Sequence, residues 1–206
     1  MKDKVIGIIG LGKLGKEIYK LAKEKNYKIK TFSSKSHALI DDETVENLNI
    51  KEANTCDLLI DASSAPFEYI SHITKPLIIA NTQINEEDLK NLKCKHIYIP
   101  NGSFSWGAIK ECAIKLAQSK NYQFLINDIH HAQKKDAPSG TASSLINEIK
   151  KTGSQVDVGC ARGGEVVGVH SVYAFNKDEF IKIEHQVLNR SIFAQGILMQ
   201  AENELK

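Results

Sequence analysis

The sequence predicts an α/β fold, in which a parallel sheet flanked by helices is followed by a second domain of α+β type. Three observations support this prediction. The first hundred residues alternate short apolar runs with amphipathic stretches, a glycine-rich turn follows the first apolar run, and the pattern changes after Pro100. Strands and helices in succession are typical of a doubly wound parallel sheet.

The first half of the chain shows the alternation most clearly. Val5–Ile9 is predicted as a buried strand, and residues 13–25 as a helix with Leu14, Ile18 and Leu21 on one face. Residues 35–55 are polar and carry little periodicity, so a loop or a short helix is expected there. Further strands are predicted at residues 28–32, 57–61, 76–80 and 96–99.

The second half of the chain shows a different order of predicted helices and strands. A strand is predicted at residues 122–129, between helices centred on 109–116 and 142–149, and residues 152–164 are predicted as a turn or linker. Residues 166–175 and 179–188 are predicted as an antiparallel pair, since Ile181, Ile183 and Val187 alternate with polar residues. A last helix, with Ile192, Phe193, Ile197 and Ala201 on one side, ends the chain.

Composition excludes several classes of protein. The chain has 206 residues, 42% of them hydrophobic and 25% charged, with a formal net charge of +2. These values are ordinary for a soluble globular protein and argue against nucleic acid or an anionic membrane as the main partner. The sequence shows no apolar run of the ~20 residues that cross a bilayer and no signal-peptide pattern, so a cytoplasmic location is expected. The four cysteines lack C-x-x-C spacing, which favours reduced thiols.

The glycine-rich turn is Gly10-Leu11-Gly12-Lys13-Leu14-Gly15, directly after a strand and at the start of a helix. Glycines allow a tight turn and close approach to a pyrophosphate, whose charge the helix N-terminus stabilises. In this context the pattern predicts dinucleotide binding by a Rossmann-like domain, and the alternative is a purely structural turn.

The end of the second predicted strand indicates which dinucleotide is bound. An acidic residue about 20 positions after the turn would bind the ribose 2′-hydroxyl of NAD. The sequence instead has Ser33, Ser34 and Lys35 there. Hydroxyls and an ammonium group suit a 2′-phosphate better, so NADPH is the preferred cofactor and NADH a possible one. The alternative is that these residues form a simple polar turn.

A basic segment at residues 130–141 is the second feature with chemical meaning. Two histidines and two lysines within six residues are costly to bury without anionic partners. The segment ends in Pro138-Ser139-Gly140-Thr141 at a helix start, where hydroxyls and free backbone N–H groups are available. Such a site would hold a carboxylate beside a proton donor. The alternative is a solvated loop with Asp136 or Ser139 as helix cap, and the pattern alone leaves both open.

This segment closely resembles the H-H-x-x-K-x-D-A-P-S-G-T motif of the 4-hydroxy-tetrahydrodipicolinate reductase family, long called dihydrodipicolinate reductases. The matching residues are His130, His131, Lys134 and the run Asp136-Ala137-Pro138-Ser139-Gly140-Thr141. Other stretches resemble family motifs in the same order: Gly12-Lys13-Leu14-Gly15, Asp61-Ala62-Ser63, Ser103-Phe104-Ser105-Trp106-Gly107, Arg162-x-Gly164-x-Val166-x-Gly168-x-His170, and His185-x-x-x-x-Arg190-x-x-Phe193-Ala194-x-Gly196.

The resemblance implies an oxidoreductase that reduces a cyclic, unsaturated dicarboxylate with hydride from a reduced nicotinamide. It implies that His130 and Lys134 act as the acid–base pair, with Lys134 the better candidate for the final proton donor. Substrate carboxylate binding is implied for His131, Ser139, Gly140 and Thr141. The cofactor-binding set comprises Gly10, Leu11, Gly12, Lys13, Leu14, Ser33, Ser34, Lys35, Ala62, Ser63, Ala80, Thr82, Ser103, Phe104 and Arg190.

The predicted organisation has two domains. Residues 1–103 with 190–206 form the dinucleotide-binding domain, and residues 104–189 the substrate-binding domain, whose sheet, by resemblance, assembles a homotetramer. Metal binding is not expected, because the histidines lack the close spacing of zinc sites. His170 and His185 are interpreted as structural, and Arg190 either lies near the cofactor cleft or forms an interdomain salt bridge.

Two other functions stay open at this point. One is an oxidoreductase of the same plan that acts on another imine or enamine dicarboxylate. The other is a dinucleotide-binding sensor without turnover.

Overall fold

A computed structural model describes residues 3–206. The chain divides into two compact units: one comprises the described residues up to Gly102 together with Ser191–Lys206, and the other is Ser103–Arg190. The first boundary between the units follows residue 102, where the sequence predicted residue 103. The second follows residue 190, where the sequence predicted residue 189. Among residues 3–206, no helix combines the length and apolar character that a membrane span requires.

The first unit contains, among its described residues, a five-stranded parallel sheet in the order β2-β1-β5-β6-β7. This confirms the predicted parallel sheet. Ile6, Ile8 and Leu58 on the sheet pack against Ile18 and Ile197 of the flanking helices. The strands of this unit are β1 (Val5–Ile9), β2 (Lys28–Phe32), β3 (His37–Ile40), β4 (Glu43–Glu46), β5 (Leu58–Asp61), β6 (Leu77–Ile79) and β7 (His96–Tyr98), and its helices are α1 (Lys13–Glu24), α2 (Glu86–Asn91) and the C-terminal helix (Ser191–Glu204).

The segment 35–55 has more structure than the sequence indicated. β3 and β4 form an antiparallel hairpin, and a 3-10 helix, Ile50–Thr55, follows it. The hairpin is attached to the end of β2, because the Thr31 hydroxyl donates to the Glu46 carbonyl at 2.7 Å and the Leu48 N–H donates to the Thr31 carbonyl at 2.7 Å. The short helix was expected, but strands of four residues are too short for a period-2 pattern to stand out.

The second unit is built on a four-stranded sheet in the order β11-β10-β8-β9. Its elements are α3 (Phe104–Gln118), β8 (Gln123–His130), α4 (Gly140–Lys151), β9 (Val156–Arg162), β10 (Gly168–Phe175) and β11 (Phe180–Val187), after which the C-terminal helix is α5. α3 and α4 pack on one face of the sheet, where Trp106, Phe124, Leu145 and Val172 form the core. The antiparallel pair β10–β11 is confirmed.

The prediction of a turn or linker at residues 152–164 is wrong for most of that segment. β9 lies at the edge of the sheet and pairs in parallel with β8. Its sequence includes Gly159, where an added Cβ would lie 2.4 Å from Asn127 Oδ1. A glycine and largely exposed side chains hide the apolar alternation that identifies a strand.

Strand β8 positions the chemistry of the second unit. Its burial alternates along the strand, so Phe124, Ile126, Asp128 and His130 share the buried face. The first two belong to the apolar core, whereas the last two place polar groups at the end of the strand, where the 130–141 segment begins.

Candidate active site

The glycine-rich turn has the backbone geometry that its sequence requires. Gly10 adopts φ +84°, a left-handed conformation that favours glycine, and its N–H donates to the Phe32 carbonyl at 2.8 Å. A Cβ on Gly10 would lie 2.6 Å from Ser63 Cα, and one on Gly15 would lie 1.9 Å from the Gly10 carbonyl oxygen. The turn therefore brings the β1 end, α1 and the Ser63 loop together at a spacing that only glycines permit.

A cavity of about 740 Å³ opens at this turn, within the first unit. The predicted cofactor residues that line it are Gly10, Leu11, Gly12, Ser33, Ser34, Lys35, Ala62 and Ser63. Lys13, Leu14, Ala80 and Thr82 are not among its lining residues, and Ser103, Phe104 and Arg190 belong to the second unit. The cavity is also lined by Lys16, His37, Leu39 and Tyr69, which the sequence reasoning missed.

The charge of the cavity suits phosphate groups. Its described lining includes Lys16, Lys35 and His37 and contains no acidic residue. Gly12 is the N-cap of α1 and provides no side-chain hydrogen bond, which leaves first-turn N–H groups for an anion. An added Cβ on Gly12 would meet no described atom within 4 Å, so there is open space beside the turn, as a pyrophosphate requires. The residues present therefore fit a dinucleotide.

Asp61 organises the loop on the far side of the turn. Its buried carboxylate accepts hydrogen bonds from the Ser63 N–H at 3.0 Å, the Ser63 hydroxyl at 2.6 Å and the Asn81 amide at 3.1 Å. Burial raises the pKa of Asp61, although these hydrogen bonds oppose the shift. The network fixes Ser63 at the wall of the cavity.

We call residues 130–141 the histidine loop. Its first part is tied to the turn after β9, since the Gly163 N–H donates to the His130 carbonyl at 2.9 Å and the Ala132 N–H donates to the Gly164 carbonyl at 3.2 Å. His131 is partly exposed, and its Nδ1 lies 3.1 Å from Gln133 Oε1.

Lys134 and Asp136 form an ion pair inside the histidine loop, with 2.7 Å between Nζ and Oδ1. Burial would raise the pKa of Asp136, but hydrogen bonds from Lys134 and the backbone, including that of Gly140, lower it below its ordinary value. The Asp136 carboxylate therefore lies between the Lys134 ammonium group and the backbone of Gly140 at the start of α4. This arrangement of donors is suited to a carboxylate.

Ser139 is the N-cap of α4. Its hydroxyl accepts from the Ala142 N–H at 3.2 Å and donates to Asp128 Oδ1 at 2.7 Å, and its backbone N–H donates to Asp128 Oδ2 at 2.8 Å. The assignment of Ser139 to substrate carboxylate binding stays a prediction, and in this structure its hydroxyl proton is directed to Asp128. Gly140 and Thr141 occupy the first turn of the helix, where backbone N–H groups serve anions.

Asp128 lies at the centre of a buried polar cluster that the sequence reasoning did not single out. The Arg162 Nη2 lies 2.8 Å from its Oδ2, and His130 Nδ1 and His170 Nε2 each lie 3.2 Å from its Oδ1. The side chain of Asp128 is 0% exposed. The sequence contained one indication of this cluster: Asp128 is a charged residue at an inward-facing position of a strand in which inward and outward residues alternate.

The pKa values in this cluster follow from burial and ion pairing. Burial alone would raise the pKa of Asp128, but the neighbouring His130 and His170 rings and the hydrogen bonds from Ser139 lower it far below its ordinary value. Burial lowers the pKa of His170, and Asp128 only partly offsets that shift. Asp128 is therefore an anion and His170 a neutral imidazole at pH 7.

Asp128, His130 and His170 also place ligand-type atoms within 4.8 Å of one another. A metal ion fits this set poorly, because the Asp128 carboxylate already accepts from Ser139 and pairs with Arg162, whose fixed positive charge repels a second cation. The geometry favours an ion-paired network over a metal centre.

The rings of His170, His185 and Trp106 contact one another next to the Asp128 cluster. His170 stacks with His185 at 6.3 Å between ring centroids, and Trp106 lies 4.9 Å from His170. His185 Nε2 lies 3.2 Å from the Ser103 hydroxyl. These contacts are internal to the second unit, and Nδ1 of each histidine is buried without a hydrogen-bond partner among the described residues. The structural interpretation of both histidines stays a prediction. The contact with His185 also gives Ser103 a partner inside the second unit.

A parallel sheet with a phosphate-suited glycine turn is the architecture of the dinucleotide-dependent oxidoreductases, and here it is followed by a unit with a buried cluster of Asp128, Arg162 and two histidines. A family model described as "Dihydrodipicolinate reductase, C-terminus" matches residues 103–206. The 4-hydroxy-tetrahydrodipicolinate reductase of Bdellovibrio bacteriovorus is 30% identical over 76% of this chain and 74% of that protein. The chain belongs to the dihydrodipicolinate reductase family.

Two further comparisons cover almost the whole chain. The 4-hydroxy-tetrahydrodipicolinate reductase of Thermosipho africanus is 30% identical over 95% of this chain and 89% of that protein. The solved structure of a dihydrodipicolinate reductase from Paenisporosarcina, with dipicolinate bound, superposes with a TM-score of 0.71. At 18% identity, covering 98% of this chain and 94% of that one, it shows the shared fold.

Proposed function

We propose that this chain reduces 4-hydroxy-tetrahydrodipicolinate to tetrahydrodipicolinate with NAD(P)H and a proton, with loss of the 4-hydroxyl group as water. This reaction is a step of lysine and diaminopimelate biosynthesis. The observation that carries the proposal is the histidine loop, which keeps every motif residue and is folded against the buried Asp128 cluster. Family membership gives the reaction class, and the dipicolinate bound to the solved relative is a cyclic dicarboxylate of the same kind.

The histidine loop binds and protonates the substrate in this proposal. Lys134, together with the backbone N–H groups of Gly140 and Thr141, holds a ring carboxylate, and His131 assists from the partly exposed side of the loop. The Lys134–Asp136 pair supports this role, since the loop already holds a carboxylate at that point. His130 and Lys134 form the acid–base pair that supplies a proton next to the reduced carbon.

The cavity of the first unit holds the cofactor, which supplies hydride when bound. Gly10 and Gly12 admit the pyrophosphate. NADPH is the preferred cofactor, because Lys35 and His37 line the cavity near the end of β2 and the described lining has no carboxylate for a ribose 2′-hydroxyl. The remaining predicted contacts at Lys13, Leu14, Ala80, Thr82, Ser103, Phe104 and Arg190 stay proposals.

We propose that the protein forms a homotetramer. We also propose that it is located in the cytoplasm. α3 and α4 cover the sheet face that carries Val172 and Ala174. The outward residues of the sheet include Tyr173 and Phe180, whose rings lie 5.7 Å apart, and Phe180 is 64% exposed. An aromatic patch on an outward sheet face supports assembly through that face.

The test is a spectrophotometric assay of NADPH and NADH oxidation with enzymatically generated 4-hydroxy-tetrahydrodipicolinate. We expect substrate-dependent oxidation of both cofactors, with a higher kcat/KM for NADPH. Binding of either cofactor without substrate-dependent oxidation would instead indicate a sensor. Oxidation with a different cyclic imine dicarboxylate alone would indicate another reductase of the same plan.

A further inference from the structure

One buried charge in the second unit has no part in the roles assigned so far. Asp128 is 0% exposed on a strand face that begins with the apolar core residues Phe124 and Ile126. Burying a carboxylate is costly unless it is paired and hydrogen-bonded. Its position at the base of the histidine loop suggests that the charge is kept for the chemistry of that loop.

We infer that Asp128 is the positioning residue of the proposed reductase site, which holds His130 in one tautomer and orientation and fixes the start of α4. The inference rests on the proposed function and deepens it. It assigns a task to a group that touches neither substrate nor cofactor in the proposed mechanism.

The contacts of Asp128 reach every segment that forms the loop. Oδ2 accepts from the Ser139 N–H and pairs with Arg162 Nη2, each at 2.8 Å, while Oδ1 accepts from the Ser139 hydroxyl at 2.7 Å. Arg162 in turn donates to the Asp136 carbonyl at 2.6 Å and to the Asp128 carbonyl at 2.8 Å. One carboxylate and one guanidinium thus connect β8, β9, the loop and the helix start.

The same carboxylate determines which nitrogen of His130 exchanges protons. A carboxylate only accepts, so the Asp128 oxygen 3.2 Å from His130 Nδ1 favours a proton on Nδ1. His130 Nδ1 has no hydrogen-bond partner among the described residues, so the Asp128 carboxylate acts on the ring through its charge at 3.2 Å. Nε2 is then the nitrogen that gains and loses a proton, the logic of an orienting third group behind a base.

The opposite side of the His130 ring supports this assignment. An added Cβ on Gly168 would lie 3.0 Å from His130 Nε2, so the glycine leaves room beside that nitrogen. His170 faces the same Asp128 oxygen but is 1% exposed, compared with 8% for His130. The charged and titratable groups next to His130 include Asp128 on its own strand, Arg162 opposite it on β9 and His170 on β10.

A double-mutant cycle tests the inference. We expect Asp128→Asn to lower kcat by at least about tenfold, with the KM for NADPH within twofold of wild type, since the cofactor cavity is in the other unit. In a His130→Ala background, the same substitution should lower kcat by a clearly smaller factor than in the wild-type background, because the task that Asp128 performs through His130 is already lost there. Thermal unfolding and NADPH binding are recorded for each variant.

A matched control is Asp57→Asn in the first unit. Asp57 also accepts from a backbone N–H, that of Val5 at 2.7 Å, and pairs with a cation, Lys4 at 3.2 Å, but it lies outside the proposed site. We expect its kcat to equal that of wild type.

The inference is overturned if kcat of Asp128→Asn stays within twofold of wild type. It is also overturned if the substitution lowers kcat by the same factor in the His130→Ala background as in the wild-type background. Should Asp128→Asn fail to fold, Asp128→Glu replaces it. This variant keeps the charge but moves the carboxylate, so kcat should fall more than tenfold with normal NADPH affinity, and an unchanged kcat overturns the inference. A wild-type chain without substrate-dependent NADPH oxidation would instead refute the proposed function.

Discussion

The acid–base residues of the histidine loop are the most direct target at the scale of single residues. We expect His130→Ala and Lys134→Ala each to lower kcat by about 10²- to 10⁴-fold, the usual contribution of a positioned acid or base. NADPH binding should persist, because neither residue belongs to the unit that contains the cofactor cavity. Steady-state kinetics and a fluorescence titration with NADPH measure the two effects. Near-normal turnover in both variants would refute these roles.

If Lys134 binds a substrate carboxylate, as proposed, the Asp136 carboxylate competes with the substrate for the Lys134 ammonium group. The pair is partly exposed, with 24% and 46% of the side chains accessible. Such pairs contribute at most about 1 kcal/mol, so Asp136→Asn should lower the KM for the dicarboxylate by up to about fivefold. Asp136→Glu, which keeps the charge, is the control. A raised KM in the Asn variant alone would show that Asp136 supports the loop.

Sequence reasoning identified the loop residues but not their internal partners. The motif contains the histidines, the lysine and Ser139, yet pairing across strands decides that the Ser139 hydroxyl points to Asp128. Asp128 and Arg162 are 34 residues apart and meet only because β8 and β9 are neighbours in parallel. Local patterns carry no information about such pairs.

At the scale of elements, the turn after β2 is expected to set cofactor preference. Ser34→Asp places a carboxylate where a 2′-phosphate would bind and should shift the ratio of kcat/KM values toward NADH. Asn91→Asp adds the same charge to the same unit, at the exposed end of α2 and outside the described cavity lining, and serves as the control. An unchanged ratio in Ser34→Asp would show that this turn does not contact the ribose.

The elements themselves were predictable where their patterns were long. β1, α1 and the pair β10–β11 follow from apolar runs and alternation over five or more residues. The hairpin β3–β4 was missed because its strands have four residues each, and β9 because its pattern is interrupted by Gly159. Both elements are stabilised mainly by neighbouring strands, which a single segment does not reveal.

For the whole molecule, buried histidines predict that acid lowers the stability. Burial lowers the pKa of both His170 and His185, so protonation near their ordinary value of about 6.5 favours the unfolded chain. Their contribution is complete above that pH and is lost as the pH falls through it. Each kcal/mol lost lowers Tm by about 2–4 °C in a chain of this size.

Calorimetric unfolding between pH 8 and pH 5.5 measures this effect. His185→Gln keeps an amide near the Ser103 hydroxyl but does not titrate, so its Tm should depend less on pH than that of wild type. The same pH dependence in both proteins would contradict a contribution from His185.

The central claim, hydride transfer to a cyclic dicarboxylate, is tested most directly by isotope transfer. The chain is incubated with 4-hydroxy-tetrahydrodipicolinate and NADPH deuterated at both C4 positions, and the product is analysed by mass spectrometry. We expect tetrahydrodipicolinate with one deuterium on a ring carbon, formed at a rate that depends on His130 and Lys134. NADPH oxidation that leaves no deuterium in the ring, or no substrate-dependent oxidation at all, would contradict it.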